Sequence, residues 1–195
     1  MQILLPIHIL AGTIALLCAA LAVSSEKGKR LHVLSGRTYF WGMVTIFLTA
    51  IPMSIISSNI FLFLIAIFSF YLEGIATTLD WIAVSLMILS GLGMLILSAI
   101  FFTNDNSQYI VLLVFGFLAS RLGYADLMSY KNNTATGKER ISRHLTNMMG
   151  GTIAVITAVL VVNPPFEPEW VWWVLPTVLI TPVIFWWNFK ILKKE

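Results

Sequence analysis

Charge is the scarcest commodity in this sequence. Of 195 residues, 12 are Lys or Arg and nine are Asp or Glu, 11% together against 58% hydrophobic. Soluble domains carry roughly a quarter charged residues, so this chain cannot clothe a water-facing surface, and a soluble globular enzyme is excluded first. Cysteine is almost absent. The single Cys18 permits neither a disulfide framework nor a CxxC metal pair within the chain. Familiar catalytic signatures are missing as well: there is no GxSxG, no P-loop and no GxGxxG after a strand. The net charge of +3 is distributed by topology, not gathered into a face for nucleic acid.

What the sequence has is long apolar runs. A hydrocarbon core of ~30 Å needs about 20 apolar residues in helical form. The runs are continuous instead of alternating, which predicts helices, not barrel strands. Seven spans are expected, at about 3–23, 33–57, 59–78, 81–102, 109–130, 141–162 and 170–192. The fold class is therefore all-α, a polytopic membrane bundle of seven transmembrane helices forming one integral-membrane domain over 1–195. The first run is longer than a signal-peptide core and has no positive segment before it, so it reads as a retained helix.

Orientation follows from the basic residues. Lys27, Lys29, Arg30 and Arg37 follow the first span. Lys131, Lys138, Arg140 and Arg143 follow the fifth, and Lys190, Lys193 and Lys194 form the tail. These lie on one side, which the positive-inside rule makes cytoplasmic. The opposite loops carry acids only: Asp105, Glu167 and Glu169. An odd span count then places the N-terminus outside and the C-terminus in the cytoplasm. Trp170, Trp172 and Trp173 at one end of the last span, with Trp186 and Trp187 at the other, mark two interfacial belts.

Prolines 6, 52, 176 and 182 lie within spans, where membrane helices tolerate them. Gly91 and Gly93, Gly116 and Gly123, and Gly150 and Gly151 are expected at close helix contacts. The aromatic stripe Ile60–Tyr71 reads as packing or lipid-facing surface.

The polar residues at membrane depth bear on function, because an ionisable group in hydrocarbon needs a partner or a task. Arg121 and Asp126 on the fifth span, with Glu73 at the end of the third, are expected to pair and tie helices together; the functional alternative is a proton or anion path. Arg30, Arg37 and Arg143 suit lipid headgroups and topology. The three histidines all lie in a span or at its mouth. His8 and His32 each have a glycine four residues on (Gly12, Gly36), and His144 has Gly151 two turns on, so a small residue shares each histidine's face. That leaves room beside the ring for something flat.

Histidines on two helices at equal depth are how a bundle holds haem. His32 and His144 are the expected axial ligands of a b-type haem, with Arg37 and Arg121 on its propionates, for transmembrane electron transfer. His8, with Met53, would form an outer relay. The same residues suit a bare metal: His32 and His144 with Asp126 or Asp80 could hold zinc or iron and activate water, the pattern of a membrane hydrolase. Local capping by the histidines, without any cofactor, is the plain alternative. A non-catalytic transporter or partner subunit would depend on the charged cluster instead. Expected partners are the lipid bilayer and, for the haem reading, a redox partner; a homo-oligomer is the other expectation, and nucleic acid is not one.

Two stretches carry a family resemblance. Lys27–Met43 holds His32, Gly36-Arg37 and Tyr39 in the pattern HxxxGRxY, and Arg143–Gly151 holds His144 with Met148 four residues later. Both resemble signatures of a family of bacterial predicted membrane proteins filed as a domain of unknown function. The resemblance implies a multi-pass protein of the bacterial inner membrane with His32, Gly36, Arg37, His144 and Met148 at its motif positions. It lends no activity.

Overall fold

The computed structural model describes residues 1–71, 80–131, 137–162 and 164–193. All regular structure among them is helical: α1 Leu4–Ser24, α2 Arg30–Ile56, α3 Ile60–Tyr71, α4 Asp80–Thr103, α5 Tyr109–Lys131, α6 Gly137–Val162 and α7 Trp170–Lys193. The helices coincide with the stretches expected from hydropathy. All but α3 contain a segment long and apolar enough to cross a membrane, and the described part of α3 has 12 residues. The chain is an all-α, multi-span membrane-helix protein.

The surface agrees. Ile3, Trp41 and Phe185 are 75%, 66% and 70% exposed, and such side chains recur along every long helix. Water would not tolerate that much bare apolar surface, whereas lipid tails are a matched solvent for it. With no hydrophobic drive between helices inside a bilayer, contact must come from close packing and hydrogen bonds.

The chain divides into two compact units, 1–66 and 67–195. In the first, α1 and α2 form a hairpin. Ala11, Ala15 and Ala19 recur every fourth residue, so they share one face of α1, and all three are buried. They lie against a face of α2 on which Ser35, Tyr39, Gly42 and Met43 are buried. A Cβ on Gly42 would stand 3.3 Å from both the Ala11 carbonyl oxygen and the Ala15 Cβ, so the backbones meet where side chains are smallest. The turn between the helices uses Gly28 at φ +79°, a conformation that disfavours L side chains.

The second unit repeats the device between α4 and α5. A Cβ on Gly91 would fall 2.6 Å from Ser120 Oγ and 2.8 Å from its backbone nitrogen. One on Gly116 would fall 3.0 Å from the Gly91 carbonyl oxygen, and one on Gly123 would fall 2.7 Å from Ile88 Cγ1. Around these contacts Met87, Met94, Val111 and Leu112 are fully buried. The expected close contacts at Gly91, Gly116 and Gly123 are thus present. The α6–α7 pair is packed through Met149, Ile153 and Ile184, with Leu145, Ile180 and Trp187 against them. At the start of α7, Trp172 Nε1 donates to the Phe166 carbonyl at 2.9 Å and its ring lies 4.5 Å from Phe166, fastening the preceding loop. At the other end, the Lys190 ammonium sits 3.6 Å over the Trp186 ring.

Candidate functional site

A helix ends with carbonyls that have no intrahelical donor. At the end of α1 the basic turn supplies donors to them. Lys27 Nζ donates to the Ala22 and Val23 carbonyls at 2.9 and 2.6 Å, and His32 Nδ1 lies 3.0 Å from the same Ala22 oxygen. The ammonium also sits favourably at the negative end of the helix, while burial lowers its pKa from the ordinary lysine value. A carbonyl only accepts, so His32 Nδ1 carries the proton and, in the neutral ring, Nε2 keeps its lone pair. His32 therefore staples the start of α2 to the end of α1.

His8, on α1, is half-buried and reaches Thr49 on α2, with Nδ1 2.9 Å from Thr49 Oγ1. Thr49 Oγ1 is also 2.8 Å from the Thr45 carbonyl and 2.9 Å from that of Ile46. Its one proton is directed to the backbone, which makes His8 the donor. Met53 follows Thr49 by one turn on α2.

In the second unit the polar groups converge at one end of the bundle. Asp126 stands five residues before the end of α5 and Arg143 six residues after the start of α6. At 1.5 Å per residue both lie about 8 Å in from the paired ends, so the antiparallel helices bring them level. Arg143 Nε is 3.2 Å from Asp126 Oδ1, with side-chain exposures of 27% and 16%. The second oxygen, Oδ2, accepts a hydrogen bond from the Tyr71 hydroxyl at the end of α3. One carboxylate thus joins three helices. The neighbouring α6 face bridges to α7: Ser142 Oγ donates to Asn188 Oδ1 at 2.8 Å, and Asn188 Nδ2 donates to Thr146 Oγ1 at 2.8 Å.

This pairing differs from the expected one. Asp126 takes Arg143, not Arg121, because residues five apart on a helix stand roughly 140° apart around its axis. Arg121 is exposed on α5. Glu73 lies outside the described residues. Arg143 joins an ion pair where headgroup contact was expected, and Tyr71, the last residue of the stripe expected to pack or to face lipid, is the hydroxyl donor.

The remaining candidates are dispersed. Arg37 is exposed on α2, eight residues into the helix by count from Arg30. His144 is exposed on α6, and Met148, one turn later, is half-buried. His32 belongs to the first unit and His144 to the second. Asp80 opens α4, but its side chain lies outside the described residues. Among the described residues no group of three or more His, Cys, Asp or Glu side chains converges to hold a metal ion. Asp126, the one described carboxylate among the candidate ligands, already holds Arg143 and Tyr71.

Comparison with known proteins gives no match to any family model, curated protein or solved structure. The family resemblance rests on the HxxxGRxY and HxxxM motifs alone.

Proposed function

We propose that this chain is a seven-span, proton-conducting transport protein of the bacterial inner membrane, with Asp126 as its proton-exchanging group. The observation that carries the reading is the Asp126 carboxylate held between Arg143 and Tyr71, joining α5, α6 and α3. Charged groups inside spans that pair with one another mark ion and proton pathways in membrane proteins. The basic loops put this end of the bundle on the cytoplasmic side.

The proposed cycle needs only these groups. Deprotonated Asp126 holds Arg143 and accepts the Tyr71 proton in a hydrogen bond, closing the cytoplasmic ends of α5 and α6. Protonation removes the negative charge, so Arg143 loses its counter-ion and turns to water or headgroups. The α5–α6 mouth then opens. Spin labels at exposed Lys131 and Lys138 test this. Their separation should be longer and more broadly distributed in Asp126→Asn, which mimics the neutral acid, than in the wild type. Identical distances in both proteins would overturn the reading.

A second reading is favoured by His32. Donation of Nδ1–H to a backbone carbonyl is the arrangement that fixes the tautomer and orientation of a metal-ligating imidazole. That suits His32 as a ligand of a b-type haem. A dithionite-sharpened Soret band lost in His32→Ala supports it; a colourless protein prepared with haem present rules it out.

A further inference from the structure

Arg121 stands in the middle of α5, ten residues from one end and twelve from the other, or about 15 and 18 Å along the axis. It is exposed. Its face is otherwise apolar: Leu113, Phe117 and Tyr124, at helical spacing before and after it, are 50%, 65% and 54% exposed. A guanidinium at mid-membrane does not stay against lipid tails; such groups face other protein and pair there.

The same face borders a groove. Between α5 and α7 lies an open apolar channel of about 770 Å³, walled by Leu113 and Phe117 on one side and by Val178, Thr181, Pro182 and Phe185 on the other. Its wall also contains polar groups without an intrahelical or side-chain partner. Pro182 has no N–H for the Val178 carbonyl in the i−4 ladder, and Thr177 Oγ1 is buried with no hydrogen-bond partner among the described residues.

We infer that the α5–α7 groove seats a membrane-spanning helix of another protein, one that presents a carboxylate near mid-membrane to Arg121. Charge complementarity selects the partner. A phospholipid carries its anionic group at the membrane surface, over 10 Å from this depth by the count above, whereas an Asp or Glu on a partner helix reaches it directly. Helix ridges fit such grooves, and polar side chains on a helix can meet Thr181 and the freed Val178 carbonyl. A second copy of this chain is disfavoured because its described intramembrane acid, Asp126, is already held by Arg143 and Tyr71. The inference is independent of any role for Asp126 in proton exchange.

The probe is a synthetic Leu/Ala helix of about 20 residues with one central Glu, and a Gln twin as control. Energy transfer between labelled peptide and the full-length protein in zwitterionic vesicles measures binding. The Glu peptide should bind about tenfold more tightly than the Gln peptide. That preference should vanish in Arg121→Gln, and both peptides should weaken in Val178→Trp, which fills the groove from an exposed position. Equal binding of the two peptides, or a preference that survives Arg121→Gln, overturns the proposal. So does displacement of the Glu peptide by anionic lipid, or Arg121-dependent self-association of the protein without peptide.

Discussion

Arg143 Nε and Asp126 Oδ1 are 3.2 Å apart and join α5 to α6 by charge. Both side chains are less than a third exposed, so each would be poorly solvated alone. Removing one partner leaves the other uncompensated, which in fully buried pairs costs several kcal/mol and less where water reaches in. Arg143→Gln should therefore destabilise the protein by about 1–3 kcal/mol. The double variant Asp126→Asn/Arg143→Gln should recover a good part of the loss. Thermal unfolding in detergent checks this, and additive effects would contradict the coupling.

The end of α1 makes a separate prediction. The Ala22 carbonyl receives both Lys27 Nζ and His32 Nδ1, and each such hydrogen bond contributes about 1 kcal/mol net. His32→Ala and Lys27→Met should each fray the last turn of α1 and leave α4–α7 intact. Amide exchange at 22–25 should accelerate several-fold, corresponding to about 1 kcal/mol. Unchanged exchange there would show that the staple is idle.

Glycines divide sharply by position. Gly91→Ala must push against Ser120 backbone at 2.8 Å, and should cost about 1–3 kcal/mol through separation of α4 and α5. Gly36→Ala meets nothing within 4 Å and should be neutral or slightly stabilising, since Ala is the better helix former. Equal effects on melting temperature would contradict the packing described for α4 and α5.

Much of this architecture was legible in the sequence because lipid imposes simple rules. Length and hydropathy located the described helices, and the small residues at 91, 116 and 123 announced close backbone contact. The pairing of Asp126 was not legible. Arg121 is the nearer cation in sequence but points away around α5, whereas Arg143 is reached only through the depth match of two antiparallel helices. Tyr71 was hidden in an apolar aromatic run, where its hydroxyl was the one signal that could have separated it from its neighbours. His32 was readable as a capping residue, since it opens a helix directly after a basic turn. The haem arrangement depended on two histidines that belong to different units, and spacing along a chain carries no information about that.

The most direct test of Asp126 as the working group is proton flux in reconstituted vesicles. With an internal pH-reporting dye and a potassium diffusion potential, wild-type protein should acidify or alkalinise the lumen according to the sign of the potential. Asp126→Asn should reduce the flux to that of protein-free vesicles, and Asp126→Glu should retain a fraction of it. If wild-type vesicles match empty ones, or Asp126→Asn conducts like wild type, Asp126 is a structural clamp and the transport reading is wrong.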